Sequence, residues 1–215
     1  MEIPALPTPV SFDPATTALV VIDMQGDFLE DTGWAAAVGL DYRRLQSVIP
    51  VVKEVLDVAR ARGLLVIFTR EGHRPDLSDC PLRKRGRRSP HIGDQGPNGR
   101  YLVIGERCHD IIDAVRPRAG EIVVDKPGKG SFYATPMAQI LTKRGIRTLL
   151  ITGITTDVCV HATIVEANDR AYDCVLLEEA TTCFDQDLTD AVIKIMRRGT
   201  LGWAARVPDL LGALA

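Results

Sequence analysis

Short apolar runs alternate with helical patterns along most of the chain. Runs rich in Val, Ile and Leu predict buried strands at 17–23, 64–70, 121–125, 146–153 and 173–180. Apolar positions at helical spacing predict helices at 41–63, 110–115, 135–145, 157–172 and 185–199. Unbroken apolar strands separated by helices are typical of parallel βαβ units. The pattern therefore predicts an α/β fold with a doubly wound, mostly parallel sheet and helices on both faces.

Local signals mark where two of these helices begin and end. Asp41 is a candidate N-cap and Gly63 a candidate stop for the helix at 41–63. Thr135 is a candidate N-cap for the helix at 135–145, with Pro136 at its first helical position. The stretch 72–107 has no such pattern and is rich in Pro, Gly, Arg and Asp. A long irregular loop in a compact domain is usually functional, as an active-site wall or an oligomer contact.

Length and charge narrow the classes of protein that remain. A chain of 215 residues suits one domain, and we expect residues 1–215 to form it. The formal net charge is -2 with the two signs mixed along the chain, which is not the footprint of a nucleic-acid-binding protein. A basic cluster at 83–89 interrupts this mixture. Its short length and Pro/Gly-rich surroundings favour a solvated loop over a phosphate-binding patch.

The chain also lacks the marks of a membrane or secreted protein. No apolar stretch reaches membrane-spanning length, and the N-terminus has neither the basic start nor the apolar core of a signal peptide. The five cysteines are scattered and form no CxxC pair. We therefore expect no disulfide framework and no structural zinc site, in a protein of the reducing cytoplasm.

Several chemically active residue types fall where predicted strands end. In doubly wound folds, ligands bind at the carboxyl ends of the strands. This rule selects Asp23, the segment 70–73, Lys126 and the segment 153–159. Four separate stretches are thus expected to converge on one edge of the sheet.

Each of these residues alone has an ordinary structural explanation. Asp23 could cap a loop, Lys126 could be a solvated lysine, and Cys159 could be a buried helix residue. Together they form a set suited to nucleophilic attack on an amide or urea carbonyl. Asp23 could take the thiol proton, while Lys126 and the start of the helix could stabilise the thiolate.

Three motifs, in this order, resemble the isochorismatase-like cysteine hydrolases: LVVIDMQGDF, VDKPGKGSF and LLITGITTDVCVHATIVEANDRAYDCVLLEEA. Within that superfamily, FTREGHRPDL, GDQGP and DKPGKGSF are most similar to biuret hydrolase and triuret hydrolase. The resemblance implies a doubly wound fold and a catalytic triad of Asp23, Lys126 and Cys159. It also implies a cis peptide between Ile154 and Thr155, and an oxyanion hole formed by the backbone N–H groups of Thr155 and Cys159.

The resemblance further suggests residues that contact the substrate. Phe28 matches an aromatic residue that lines the pocket in relatives, with core packing as the alternative. Lys129 resembles a second cation aimed at substrate carbonyls, with a surface lysine as the alternative. Arg197 falls where biuret hydrolase has a glutamine that contacts the substrate. A guanidinium there would suit a longer or carboxylated ureide.

We expect neither a metal nor a cofactor. Nicotinamidases of the superfamily bind zinc through an Asp-x-His pair and a further histidine. Glu71 and His73 lie near that position here, but no second histidine follows. Two ligands would not make a stable zinc site.

The sequence thus predicts a cysteine-dependent amidohydrolase that cleaves a terminal C–N bond of a small linear ureide such as biuret or triuret. N-carbamoylsarcosine-type and ureidoacrylate-type amidases are the alternatives with the same chemistry, and a non-catalytic scaffold of the same fold is a further one. The expected partner is the small-molecule substrate, with no nucleic acid and no membrane. A homo-oligomer, tetramer or dimer, is expected from the resemblance.

Overall fold

The structure, a computed structural model, describes residues 1–214. Its strands are β1 (Glu2–Ile3), β2 (Ala5–Leu6), β3 (Val10–Ser11), β4 (Thr17–Ile22), β5 (Leu65–Glu71), β6 (Gln95–Gly96), β7 (Gly99–Arg100), β8 (Ile122–Lys126), β9 (Thr148–Ile154), β10 (Asp173–Thr182) and β11 (Trp203–Ala205). Its α-helices are α1 (Gly26–Leu29), α2 (Trp34–Ala37), α3 (Tyr42–Gln46), α4 (Ile49–Ala61), α5 (Leu82–Arg85), α6 (Met137–Lys143), α7 (His161–Asn168), α8 (Gln186–Met196) and α9 (Val207–Leu214). Short 3₁₀ turns occupy Pro14–Thr16, Arg107–His109 and Asp113–Val115, and a π-helical turn occupies Thr156–Val160.

A seven-stranded sheet organises the molecule, in the order β2, β11, β10, β9, β4, β5 and β8. Neighbouring strands are parallel except for β2 and β11. The chain runs from β4 outward through β5 to β8 and then returns to β9 on the other side of β4. The prediction of a doubly wound, mostly parallel α/β sheet is thus confirmed. Its turning point lies between β4 and β9, where folds of this kind bind ligands.

Two apolar cores cover the two faces of this sheet. Along β4, Leu19 and Val21 belong to one core, while Ala18, Val20 and Ile22 belong to the other. The first core also receives side chains from α4 and α9, and the second receives them from α6, α7 and α8. Because both faces are covered, every residue of β4 is buried. This is why the strand is an unbroken apolar run rather than an alternating one.

The predicted helix at 41–63 is two helices, α3 and α4, which are separated by Ser47 and Val48. Asp41 caps α3 by accepting the backbone N–H of Arg44 at 3.2 Å. The break has a local cause in Pro50. A proline in a helix interior has no N–H to donate, and its ring collides with the carbonyl four residues earlier. That carbonyl belongs to Gln46, the last residue of α3.

Other elements differ from the prediction at their ends. Helix α6 begins one residue later than expected, and the Thr135 hydroxyl still accepts the N–H of Met137 at 3.2 Å. The predicted helix at 110–115 is a 3₁₀ turn, and β2, β11 and α9 were not predicted. Within residues 1–214, no helix combines the length and the apolar character needed to cross a membrane.

Candidate active site

Asp23 lies directly after β4 and forms a buried ion pair with Lys126, the last residue of β8. The Lys126 ammonium lies 2.8 Å from Asp23 Oδ2, and both side chains are almost completely shielded from solvent. The Thr69 hydroxyl donates to Asp23 Oδ1 at 2.7 Å. Residues from β4, β5 and β8 thus meet at one edge of the sheet, as the strand-end rule predicts.

Backbone carbonyls hold Lys126 in place. Its ammonium donates to the carbonyl oxygens of Gly128 at 3.1 Å and Lys129 at 2.9 Å, in addition to the Asp23 contact. Burial is the largest single effect on the pKa of Lys126 and would lower it, but Asp23, Cys159 and Glu71 together outweigh burial and raise this pKa above its ordinary value. Lys126 is therefore a permanent buried cation beside Asp23.

Cys159 lies in the π-helical turn that follows β9 and is 5 % exposed. Burial raises the pKa of its thiol well above the ordinary value, and the carboxylates of Asp23 and Glu71 add to this, against the opposing effect of Lys126. The raised pKa favours the neutral thiol in the resting protein. The expectation of a thiolate stabilised by the helix start leaves out burial and the two carboxylates.

Glu71, at the end of β5, is the acceptor that the Cys159 thiol contacts, with Sγ 3.5 Å from Oε2. Lys129 Nζ lies 2.7 and 2.9 Å from the two carboxylate oxygens of Glu71, and Lys84 Nζ lies 3.8 Å from one of them. Burial would raise the pKa of Glu71, but Lys129, Lys126 and Lys84 lower it to about 2. Glu71 is thus a buried carboxylate that stays ionised.

The sequence did not identify Glu71 as a neighbour of the thiol. The sequence places Glu71 in the segment 70–73 at the sheet edge and suggests a chemical role for it only as an incomplete metal ligand beside His73. A carboxylate at the end of a central parallel strand was the available signal, and the same rule that selected the segment 70–73 points to it.

The donor set at this edge does not suit a metal ion. Ligand atoms of Asp23, Glu71 and Cys159 lie within 4.8 Å of one another, which is close enough to share a cation. Each carboxylate is already neutralised by an ammonium, Lys126 at 2.8 Å and Lys129 at 2.7 Å. A divalent ion between them would face two fixed positive charges at close range. The local charge therefore disfavours a metal ion here.

His73 does not complete such a site. Its Nε2 lies 3.1 Å from the Lys84 ammonium, and its Nδ1 lies 3.3 Å from Asp79. Both ring nitrogens are thus directed at protein side chains rather than at the Cys159 thiol.

A cavity of about 340 Å³ opens onto Cys159. Phe28, Trp34, Leu40, Phe184 and Leu188 supply its apolar wall. The rings of Phe28 and Trp34 meet edge to face, with centroids 6.4 Å apart. The predicted pocket residue Phe28 therefore lines the cavity and packs in the core at the same time.

The polar part of this cavity includes Glu71, Lys129, Arg88, Thr155 and Cys159. The peptide bond between Ile154 and Thr155 is cis. Lys129 has a side chain that is 48 % exposed, so it faces the cavity while it is paired with Glu71. The structure therefore brings together all the predicted site residues discussed so far.

Arg197 is the exception. It follows α8, and its guanidinium donates to both carboxylate oxygens of Glu178 at 2.7 and 2.6 Å. It lines a separate cavity together with Glu178, Glu179 and Asp190. The structure therefore corrects the expectation that Arg197 contacts the substrate in this chain. The prediction relied on sequence position alone, and the acidic side chains on β10 attract the guanidinium elsewhere.

The basic cluster at 83–89 reaches the site through Arg88. Arg88 lines the Cys159 cavity and also an adjoining cavity of about 190 Å³, which includes Lys84, Arg85 and Arg87. The sequence favoured a solvated loop here, and Arg88 is indeed exposed. Only the folded path of the 72–107 stretch shows that this loop ends at the mouth of the cavity.

This chain is similar in sequence to known proteins over most of its length. Residues 17–206 match the family model described as Isochorismatase domain. The ureidoacrylate amidohydrolase RutB of Agrobacterium fabrum is 31 % identical over 100 % of this chain and 97 % of its own length. The RutB protein of a Methylorubrum extorquens strain is 35 % identical over 84 % of this chain and 75 % of its own length.

Solved structures share the fold of this chain. A cysteine hydrolase from Pseudomonas syringae pv. phaseolicola superposes with a TM-score of 0.85 at 23 % identity, over 100 % of this chain and 98 % of that one. An N-carbamoylsarcosine amidase from Thermoplasma acidophilum superposes with a TM-score of 0.67 at 26 % identity, over 89 % and 95 % of the two chains. The first likeness concerns the fold alone.

Proposed function

Since this chain belongs to the isochorismatase domain family, we propose that it is a cysteine-dependent amidohydrolase that cleaves a C–N bond of a small ureido or carbamoyl compound. Cys159 is the nucleophile, Asp23 the general base, and Lys126 the buried cation that is paired with Asp23. The observation that carries the proposal is a thiol at the cavity surface with a buried Asp–Lys pair directly behind it.

In the first half of the reaction, Asp23 takes the proton of the neutral thiol while Sγ attacks the substrate carbonyl carbon. The carbonyl oxygen becomes negative, and the backbone N–H groups of Thr155 and Cys159 act as its oxyanion hole. One such donor contributes roughly 3–4 kcal/mol in other hydrolases. Because the thiol begins protonated, attack and proton transfer are coupled.

In the second half, Asp23 gives its proton to the departing amine, and the C–N bond breaks to leave an acyl group on Sγ. Water then enters, Asp23 takes one of its protons, and the resulting hydroxide attacks the thioester carbonyl. The S–C bond breaks, and the proton held by Asp23 returns to Sγ. Asp23 and the thiol are thus restored in their starting protonation states.

The favoured substrate is a ureido acid, of the ureidoacrylate or N-carbamoyl amino acid type. The relatives named above are ureidoacrylate amidohydrolases, and an N-carbamoylsarcosine amidase is a structural neighbour. Arg88 at the cavity mouth offers a positive charge to a substrate carboxylate. The apolar wall around Phe28 and Trp34 suits the short carbon chain between the two polar ends.

Biuret or triuret remains the second candidate, because of a specific contact. Lys129 and Glu71 lie side by side next to Cys159, within 2.7 Å of each other. A neutral ureide carries carbonyl acceptors and amide donors on adjacent atoms, and this pair presents the complementary donor and acceptor. This supports the ureide predicted from the sequence motifs, without requiring a carboxylate.

Turnover of a substrate panel tests the proposal. The panel contains ureidoacrylate, N-carbamoyl amino acids, biuret and triuret, with the released amine or ammonia measured for each. We expect the highest kcat/KM for a ureido acid, and loss of activity in Cys159→Ala. Cys174→Ala is the matched control, since Cys174 is a buried cysteine of the core and does not line the Cys159 cavity.

Two results would contradict the proposal. Turnover by Cys159→Ala at the wild-type rate would exclude a cysteine nucleophile. Wild-type protein that hydrolyses none of the panel would exclude the substrate class. A higher kcat/KM for biuret than for every ureido acid would replace the favoured substrate with the second candidate.

A further inference from the structure

Glu71 has no task in the mechanism above, although the fold fixes it firmly. The Gln25 side chain holds its backbone on both sides: Gln25 Oε1 accepts the Glu71 N–H at 2.6 Å, and Gln25 Nε2 donates to the Glu71 carbonyl at 3.0 Å. The carboxylate itself is 1 % exposed. Burying a charge costs free energy unless the charge is paired and hydrogen-bonded, so the partners of Glu71 indicate its role.

One of those partners is the nucleophile. The Cys159 thiol lies 3.5 Å from Glu71 Oε2, within hydrogen-bonding range for sulfur. Asp23 Oδ1 accepts the Thr69 hydroxyl, and Asp23 Oδ2 is ion-paired with the Lys126 ammonium at 2.8 Å, so the hydrogen bond of the thiol goes to Glu71 instead. In the resting protein, the Cys159 thiol therefore donates its hydrogen bond to Glu71 and not to Asp23, the proposed general base.

The charges around the thiol come from separate elements. Asp23 follows β4, Glu71 ends β5, Lys126 ends β8, and Lys129 lies in the loop after it. From the turn that carries the thiol, Asp157 lines the cavity wall, while α8 contributes the apolar Leu188. Two ion pairs thus lie around the thiol, Asp23 with Lys126 and Glu71 with Lys129. Their carboxylates and ammonium groups have opposite effects on the charge of the thiol.

We propose that Glu71 is a positioning residue for the nucleophile, which accepts the hydrogen bond of the resting Cys159 thiol and keeps that thiol protonated until a substrate carbonyl is in place. Lys129 is the counter-ion of Glu71. Only the exposed part of the Lys129 side chain is free to contact a substrate. This inference rests on the proposed role of Cys159 as nucleophile. It accounts for a protonated resting thiol although Lys126 and Lys129 lie nearby.

Alkylation of Cys159 tests this without any substrate. Iodoacetamide modification of the Cys159 peptide is followed by mass spectrometry as a function of pH, because only the thiolate reacts. In Glu71→Gln, which keeps the size and a hydrogen-bond acceptor but removes the charge, we expect the midpoint of the profile to fall by about one pH unit or more. At a fixed pH below the midpoint, the rate should rise about tenfold.

Lys129→Met provides an independent variant with the opposite sign. It removes a positive charge from a half-exposed side chain and leaves Glu71 with Lys84, at 3.8 Å, as a remaining cation. The midpoint should rise by about one pH unit, and modification at a fixed pH should slow about tenfold. Circular dichroism establishes that each variant is folded.

Glu121→Gln is the matched control. It removes the carboxylate of another largely buried ion pair, with Arg60 at 2.7 Å, next to the amino end of β8 and away from the thiol. Its alkylation profile should coincide with that of the wild type. A folded Glu71→Gln with the wild-type profile, or a Lys129→Met that reacts as fast as the wild type, would overturn the inference. Because no turnover is measured, a wrong choice of substrate would leave either result unaffected.

Discussion

At the scale of single residues, the chemistry of the candidate site depends on which charges surround Cys159. Burial and two carboxylates raise the pKa of the thiol, while Lys126 and Lys129 oppose them. The sequence could suggest Asp23, Lys126 and Cys159, because all three follow or end predicted strands. It could not suggest the protonation state, because that depends on distances between side chains from four different elements.

Lys126→Met tests the buried ion pair. The variant leaves the Asp23 carboxylate buried without a cation, and we expect a loss of about 3–5 kcal/mol in the free energy of unfolding together with loss of turnover. Urea denaturation measures the first effect and amine release the second. In the double variant Asp23→Asn/Lys126→Met, stability should recover largely while activity stays absent.

Lys53→Met is the surface counterpart of that experiment. Lys53 pairs with Asp57 at 3.0 Å on α4, with both side chains about half exposed. Such a pair contributes about 1 kcal/mol or less, so its loss should be nearly neutral. Equal losses in the free energy of unfolding for Lys126→Met and Lys53→Met would show that burial of the Asp23–Lys126 pair does not increase its contribution to stability.

At the scale of elements, the apolar runs of the sequence predicted the positions of the long strands best. Strands β4, β5, β8, β9 and β10 lie where the apolar runs predict them. The short strands β2 and β11 were not predicted. They have two and three residues, which is too few to show a periodic pattern. The joint between α3 and α4 was missed although Pro50 marks it, because the apolar pattern continues across it.

Gly153, the residue before the Ile154–Thr155 peptide, brings two strands close together. Its φ is +108°, and a Cβ there would lie 2.2 Å from the carbonyl oxygen of Ile22 and 2.6 Å from its nitrogen. We expect Gly153→Ala to lower the free energy of unfolding by about 3 kcal/mol or more. Turnover should fall as well, because the displaced Ile22 precedes Asp23. Thermal unfolding and amine release measure these two effects.

Gly63→Ala controls for the backbone conformation alone. Gly63 also has a positive φ of +70°, but a Cβ there would meet no atom within 4 Å. The expected loss is about 1–2 kcal/mol, from the left-handed conformation without any collision, and activity should persist. If Gly153→Ala were as mild as Gly63→Ala, the close approach of β9 to β4 would not constrain the site.

At the scale of the whole molecule, the long connection between β5 and β8 is tied to the core by buried polar contacts. The Asp27 carboxylate, in α1, accepts the backbone N–H of Leu102 from that connection at 3.0 Å. Burial raises the pKa of Asp27 to about 7 from an ordinary value of 3.8, against the opposing effect of this hydrogen bond. The burial of Asp27 therefore links stability to pH.

The sign of this linkage follows from the direction of the shift. Folded protein holds the Asp27 proton more tightly than unfolded protein, so this contribution to stability is present below about pH 4 and is lost as pH rises to about 7. Asp27→Asn cannot ionise. Relative to the wild type, its free energy of unfolding should improve by roughly 1 kcal/mol per pH unit across that window.

Thermal or urea unfolding at several pH values measures this difference. Asp169→Asn, at an exposed position after α7, is the control for the Asp-to-Asn substitution itself. A constant difference between Asp27→Asn and the wild type from about pH 4 to about pH 8 would contradict the linkage.

The sequence by itself determined the layered fold and the edge of the sheet where the site lies. Parallel strands buried on both faces must be apolar throughout, and their carboxyl ends must meet at one edge, so Asp23, Lys126 and Cys159 could be grouped without coordinates. Only the tertiary structure decided that Glu71 accepts the hydrogen bond of the Cys159 thiol, that Arg88 reaches the cavity and that Arg197 does not. Those outcomes depend on the directions of side chains and on desolvation, which arise from contacts between distant segments and leave no periodic pattern in the chain.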